Sequence, residues 1–410
     1  MLKPVNPICC LESLVHSPEV QQWVNRPRTT FIKPDFISSD KHITNNIISD
    51  YSPEQLRVDS SSYSSLMVDW VSCKVPFFYS GKINGGNVIS TTPDGEIEYC
   101  VDKMLGVKGS YDNRLSVRTV EVLPTGDTWL ISISGNPVKW FQGHNIFGSD
   151  DLVNLVYETI LRLSELLESP QPESMLASIR SGCFTLSRID INGMYSLGRR
   201  SDVYNWLHFA ELNARTRHGT AVSKGNTVYF GKTSERWSIK CYSKGNEIEK
   251  HKLPILLQDS SLPVFADDKL RIELTLRSKE LVKLGLQDGT NWLTLDLNDI
   301  YKEYVGRIEM SNQTVVNDLI YKLPKFARAS LALWDAGNDV RMFVGKTKFY
   351  KDRKELLKHG IDISIVKQQD ESFVNVVPLK RVLEMKPVGV PDWAMGTPLY
   401  FEPRKLCKAV

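Results

Sequence analysis

The sequence predicts an α+β fold: an antiparallel sheet with flanking helices, followed by a small, mainly helical domain. Three alternating segments predict the sheet. In RWSIKCYSKG, residues 236–245, Trp237, Ile239 and Cys241 fall on one face, and Arg236, Ser238, Lys240, Tyr242 and Lys244 on the other. In DKLRIELTLR, residues 268–277, Leu270, Ile272, Leu274 and Leu276 alternate with Lys269, Arg271, Glu273, Thr275 and Arg277. In FTLSRIDIN, residues 184–192, Ile189 and Ile191 face one way, and Arg188 and Asp190 the other. One apolar and one polar face per strand is the signature of an antiparallel sheet. Two helical stripes between the strands and a basic, helix-patterned C-terminal quarter complete the prediction.

Residues 1–66 are rich in Ser, Asn, Asp and Pro and end in DSSSYSSL, which reads as a flexible extension. Strands follow near 68–76, 114–122 and 128–134. QGHNIFG, residues 142–148, then sets His144 between two glycines. That turn permits unusual backbone angles and leaves the imidazole free to point at a ligand. A helix runs from about Asp150 to Glu168, with Leu152, Leu155, Val156, Ile160, Leu163 and Leu167 on its inner stripe. Ser149 or Asp150 is its N-cap, and Ser169-Pro170 ends it. After the strand at 184–192 comes a helix near 202–214, with Val203, Trp206, Leu207 and Ala210 inward and Ser201 as cap. A strand at 226–231 precedes the pair already described, with turns at Gly225-Asn226 and Asp288-Gly289. Residues 67–300 thus form the α+β domain.

Residues 310–410 carry 17 Lys and Arg against 11 Asp and Glu, a net +6 in a chain whose total is only +3. The basic quarter suits phosphate contacts; a solvated basic face is the competing reading. TKFYKDRKELLKHGID reads as a helix from Thr347, with Phe349, Leu356 and Leu357 inward. Lys348, Lys351, Arg353, Lys354 and Lys358 are exposed, and Gly360 is the stop. With a preceding helix it suggests a helix-turn-helix-like reader of duplex DNA. The alternative is an ordinary amphipathic helix.

Composition excludes several classes. No run of about 18 apolar residues exists, so no transmembrane helix and no membrane partner are expected. The N-terminal MLKPVNPICCLESLVHS lacks a signal-peptide pattern, and seven irregularly spaced cysteines suit a reducing cytosol. No GxGxxG or P-loop sits in a strand-to-helix context, which argues against ATP-driven activity.

The polar strand faces carry the chemistry: Asp190, Tyr242 and Glu273. A tyrosine flanked by Lys240 and Lys244 on an open sheet face is a candidate nucleophile toward a phosphodiester, since lysine favours phenolate and attracts phosphate. Two carboxylates with His144 would make an oxygen-rich site for Mg2+ or Mn2+. Three solvated faces are the alternative, and the chemical reading requires the strands to be neighbours.

These pieces in this order resemble the gene II replication proteins of filamentous phages, rolling-circle initiators. The motifs are QGHNIFG around His144, SRID at 187–190, TVYFGKTSERWSIKCYSKGNEIE at 227–249, LRIELTLR at 270–277 and KTKFYKDRKELLKHGIDI at 346–363. The block at 227–249 is also similar to plasmid rolling-circle initiators. The resemblance implies an antiparallel-sheet rolling-circle endonuclease domain and a helical DNA-binding domain. It implies a metal-dependent endodeoxyribonuclease with strand-joining activity, working on duplex and single-stranded origin DNA in the cytoplasm of a bacterial host, with host helicase and polymerase. Carried over, Tyr242 is the nucleophile, Lys244 and Lys240 steady the phenolate, and Asp190, Glu273 and His144 hold Mg2+ or Mn2+. Arg188 and Arg271 lie near the phosphates. Met67 falls where the family begins, and Met310 where its internal C-terminal product begins. The common His-x-His pair of such endonucleases is missing, so carboxylates must supply much of the ligation. Tyr229 is the alternative nucleophile, and a non-catalytic DNA-binding replication or copy-control protein the alternative function.

Overall fold

The computed structural model describes residues 65–217, 219–310, 323–358, 361–364, 382 and 385–402. All of the expected N-terminal extension but Ser65 and Leu66 lies outside the described residues, as does the expected helix stop at Gly360. Strand β1 (Leu66–Tyr79) is followed by the hairpin β2 (Asn87–Thr91) and β3 (Ile97–Asp102), then β4 (Leu105–Lys108), β5 (Arg114–Val122) and β6 (Thr128–Gly135). Next come β7 (Thr185–Ser196), the short β8 (Ala214–Thr216) and β9 (Gly219–Thr220), β10 (Val222–Lys224), β11 (Thr227–Phe230), β12 (Trp237–Ser243) and β13 (Lys269–Arg277).

Nine of these form one sheet in the order β10-β11-β12-β13-β7-β1-β6-β5-β4. Its pairings are antiparallel, and the three alternating strands β12, β13 and β7 lie side by side near its middle. The apolar residues of β13 (Leu270, Ile272, Leu274 and Leu276) are fully buried. Each such side chain contributes about 1.5–3 kcal/mol by leaving water.

Helices cover that apolar face. In chain order the helices are α1 (Pro137–Gln142), α2 (Leu152–Leu166), α3 (Glu173–Arg180), α4 (Arg200–Asn213), α5 (Lys244–Lys250), α6 (Ile255–Gln258), α7 (Leu262–Ala266), α8 (Ser278–Leu284) and α9 (Leu297–Val305). Stripes of α2, α3, α4 and α9 join the strands in one large core, including the expected Leu155, Ile160, Val203 and Trp206. Helix α2 starts two residues later than expected, because Asp151 rather than Ser149 or Asp150 caps it by accepting from the Asn154 N–H. Helix α4 has Arg199 at its N-cap, so Ser201 lies inside the first turn and caps nothing. Three residues in and beside α1 carry boundary signals that the periodicity hid: Asn136 caps it, Pro137 opens it, and Gly143 closes it at φ 86°.

A second cluster packs on the opposite, polar face at one end of the sheet. It joins Ile146 and Phe147, Met194 of β7, Leu253, Leu257, Leu262 and Phe265 around α6 and α7, and Val390 and Ala394. The last of these belong to a C-terminal strap. The Val388 N–H donates to the Met194 carbonyl at 2.6 Å, the Phe401 N–H donates to Gln142 Oε1 at 2.9 Å, and Phe401 stacks on Phe141. The expected C-terminal domain at 310–410 is therefore divided. Among its described residues, α10 (Lys325–Asp335), α11 (Lys346–Leu357) and their surroundings have a core of their own, built on Leu323, Ala327, Leu331, Val340, Phe349 and Leu356. Residues 336–345 join these two helices and include a 3-10 turn at Val340–Met342. That connection is longer than the three or four residues of a helix-turn-helix, which corrects the expected motif.

Candidate active site

Cross-strand register brings the expected chemical residues together. Lys240 opposes Glu273 and Tyr242 opposes Arg271, while Thr275 opposes Asp190 and Arg277 opposes Arg188. Directly opposed residues point to the same side, so one face carries all of them. The Tyr242 hydroxyl donates to Glu273 Oε2 at 3.1 Å. Lys240 Nζ donates to the two Glu273 oxygens at 3.2 and 3.1 Å and sits 4.5 Å from the Tyr242 ring centroid. Arg188 grips Asp190 through Nε at 2.9 Å and Nη2 at 2.6 Å.

This end of the face is closed rather than open. Asp190 is 2 % exposed, and Glu273 and Tyr242 6 % each. Lys240 and Arg188 reach solvent, with 36 % and 40 % of their side chains exposed. Burial and the Glu273 charge push the Tyr242 phenol well above its ordinary value. The resting tyrosine is thus a phenol, and the flanking lysines do not by themselves make it a phenolate. Burial, then the neighbouring Asp69 and Asp190 charges, also raise the Glu273 carboxyl against the opposing pull of Lys240. Burial and Asp69 raise Asp190 in the same sense.

Four expected roles are corrected. His144 does not face a ligand: it is buried, its Nε2–H donates to the Leu399 carbonyl at 2.7 Å, and Nδ1 accepts from the Ile146 N–H at 3.2 Å. Burial, with Lys244, Arg271 and Lys139 nearby, lowers its pKa to about 3 and keeps it neutral. Among the described residues no three His, Cys, Asp or Glu side chains converge to hold a metal ion, so Asp190, Glu273 and His144 are not an assembled ligand set. Lys244 also turns away from the phenol. The strand ends at Ser243, which caps α5, and Lys244 Nζ donates to Asn145 Oδ1 at 2.8 Å and Glu247 Oε2 at 2.6 Å. Its burial, with Arg271 close by, brings its pKa down to about 8. Arg271 is fully buried and donates to the carbonyls of Asn145 and Ile146, which removes it from solvent-borne phosphates. Its Nε and Nη1 have no hydrogen-bond partner.

Two residues escaped the sequence reading. Asp69 sits at a β-bulge, where the β1–β7 register slips between Val68 and Trp70. The bulge brings Asp69 and Trp70 to the same side: Asp69 Oδ1 accepts from Asn136 and from Asn145, and Trp70 lies under the Arg188 guanidinium. The signal in MVDWVSC was the broken alternation at 69–70, with a carboxylate inside an otherwise apolar strand. Asn145 is the second. Its side chain joins Asp69 to Lys244, and its carbonyl holds Arg271.

The rival Tyr229 lies on β11 opposite Lys240, half-buried, with Lys232 Nζ 4.8 Å from its ring centroid and no hydrogen bond to a carboxylate among the described residues. Beyond Asp190 the same face runs on through Ser72 and Ser134, whose hydroxyls lie 2.7 Å apart, to exposed Lys74 and Arg118. On α11, Lys354 is exposed and unpaired among the described residues. Lys348 pairs with Asp352, Arg353 with Asp362 and Lys358 with Glu355, and Lys351 sits over Phe326.

Comparison with known proteins identifies the family. The N-terminal family of the phage replication-associated (gene II) proteins matches residues 67–295, and the C-terminal family of the same proteins matches residues 315–402. The replication-associated protein of this type from Enterobacteria phage I2-2 is 40 % identical over 332 residues, which span 80 % of this chain and 96 % of that protein. A rolling circle replication initiator protein from Geobacillus stearothermophilus aligns over 62 % of this chain and 89 % of its own, at 14 % identity and a TM-score of 0.28, too remote to argue from. On the strength of the sequence matches, this chain belongs to the gene II family of phage replication-associated proteins.

Proposed function

We propose that the protein nicks one strand of a phage replication origin through Tyr242, starts rolling-circle replication, and rejoins the displaced strand. The observation that carries this reading is the hydrogen bond from the Tyr242 hydroxyl to Glu273, on a face shared with Asp190, Lys240 and Arg188. Glu273 accepts the phenol proton as Tyr242 Oη attacks phosphorus; burial has already raised its basicity. The bond to the 3′-oxygen breaks, which leaves a 5′-phosphotyrosine and, once protonated, a free 3′-OH. A later 3′-OH attacks the same phosphorus and gives its proton to water, the bond from phosphorus to Tyr242 Oη breaks, Glu273 returns its proton to that oxygen, and the circle is closed. Arg271, opposite Tyr242 with Nε and Nη1 unsatisfied, steadies the charge that develops on the Tyr242 oxygen as its proton leaves.

The donor chemistry fits a hard divalent cation. Asp69, Asp190 and Glu273 are not an assembled ligand set at rest, but charge on one raises the carboxyl pKa of another, and Mg2+ or Mn2+ recruited by these oxygens together with a DNA phosphate would relieve that repulsion. When bound, it would polarise the scissile phosphate. Arg188, half exposed beside Asp190, meets the phosphate backbone, and Lys354 with its basic neighbours on α11 meets duplex DNA. Extension of the 3′-OH and unwinding call for a host polymerase and helicase. The setting is the cytoplasm of the infected bacterium. A non-catalytic binder would have no use for a buried tyrosine bonded to a basic carboxylate.

The test is incubation with the supercoiled replicative form of the phage and Mg2+. Wild type and Tyr229→Phe are expected to form a covalent protein–DNA adduct and Tyr242→Phe none. An adduct on Tyr242→Phe would reject the nucleophile, and its absence from wild type would reject the enzyme.

A further inference from the structure

Where β12 hands over to α5, at Lys244, lies a cleft of about 280 Å³ that the proposed chemistry leaves unused. Lys139, Lys244, Glu247, His251 and Lys252 line it together with Tyr111. Lys244 and Glu247 neutralise each other. Lys139 and Lys252 have no carboxylate partner among the described residues, so the cleft keeps two uncompensated cations. Lys139 is near enough to lower the pKa of both His144 and Glu247.

The aromatic wall is built at a cost. Tyr111 and Asp112 are consecutive non-glycine residues in the left-handed region, at φ 53° and 59°. Such strain persists only where the surroundings hold it, and it gathers at functional positions. Here the Lys108–Asp112 ion pair at 2.8 Å holds one side of the turn. On the other side the Tyr111 ring fills the space that a Cβ on Gly143 would need. Ile255, 83 % exposed, adds an apolar side chain to the lining. A partly exposed aromatic ring beside unpaired lysines is the combination that holds single-stranded nucleic acid: the base stacks and the phosphate meets the cations. The volume is just below that of drug-sized ligand sites, and one nucleotide is a smaller guest.

We propose that this cleft is a nucleotide subsite of the single strand, in which Tyr111 stacks a base flanking the scissile phosphate and Lys139 and Lys252 hold its phosphate. The inference rests on the nicking reading, since it supplies the grip that sets the strand at Tyr242. Lys244 stands only two positions along the chain from Tyr242.

The probe is a fluorescein-labelled dT15 oligonucleotide, titrated by anisotropy against the full chain. Tyr111→Ala is expected to weaken binding about ten-fold, the size of one lost base stack, and Tyr111→Phe to keep it. Lys139→Gln/Lys252→Gln is expected to flatten the slope of log affinity against log salt by about 0.7 for one lost phosphate contact. Melting curves for each variant separate lost binding from lost folding. Affinity and salt slope equal to wild type in folded Tyr111→Ala and in the double lysine variant would overturn the subsite. Failure of the nicking reading is a different result: no adduct with wild type on supercoiled DNA, whatever the oligonucleotide affinities.

Discussion

The chemistry proposed for Tyr242 depends on neighbours that differ. Glu273 takes its hydrogen bond, Lys240 lies over its ring, and Arg271 opposes it across the strand pair with N–H groups to spare. The tyrosine, the two carboxylates and Lys240 were readable from alternation, because a strand tells which residues share a side. The fates of His144, Lys244 and Arg271 were not. Each is decided by a partner that spacing cannot reveal: Leu399, which lies 255 positions along the chain, a helix that begins at Lys244, and two carbonyls of the 145–146 turn. His144 also carries a prediction. Burial, then Lys244, Arg271 and Lys139, bring its pKa from 6.5 to about 3. Between those values the unfolded chain binds a proton that the folded one refuses, so stability falls as pH drops below about 6.5. By pH 4 the loss should approach about 3 kcal/mol, since each tenfold difference in proton affinity is worth about 1.4 kcal/mol. His144→Gln, which can still donate to the Leu399 carbonyl, should show a shallower fall in denaturant midpoint over that range. Equal slopes would assign the acid sensitivity to other groups.

At the scale of elements, the site depends on three strands being neighbours, a fact that sequence pattern required but could not supply. The order β12-β13-β7-β1 adds a fourth strand that was recognised as a strand without its chemistry. The β1 bulge explains why: a strict alternation assigns Asp69 and Trp70 to opposite faces, and the register slip brings both to the polar one. Asp69→Asn, Asp190→Asn and Glu273→Gln are each expected to lower nicking at least about a hundred-fold while duplex origin binding changes less than about two-fold. Gel shift beside the nicking assay checks this. Parallel loss of binding in all three would mean that the carboxylates hold the sheet together. The protruding β2–β3 hairpin was not foreseen at all, because its Val88, Ile89, Ile97, Tyr99 and Val101 stay exposed and build no core stripe.

The whole molecule is less modular than its charge distribution suggests. A net charge of +6 over 310–410 marks the last quarter as a unit, yet residues 388–401 pack against Met194, Phe141, His144 and Phe147 of the catalytic part. Composition sees the basic helix and misses this return, because the strap is short and its apolar residues have no period. A fragment ending at residue 310 should therefore melt several degrees below the full chain, and a peptide of residues 385–402 added in trans should restore part of the loss. Equal melting points with and without the C-terminal quarter would show that the strap contributes nothing.

The return of the chain has a mechanical meaning too. The helical unit around α10 and α11 follows the sheet-bearing part after residue 310, and the chain is back in that part's core by Val382, so the unit is moored at both ends rather than trailing from one. Under the proposed function, this mooring would keep the cationic helix at high local concentration beside the nick while the displaced strand runs out. One proteolytic cut within the mooring would leave the fragments associated under native conditions, and release of the C-terminal piece would wait until the strap itself let go.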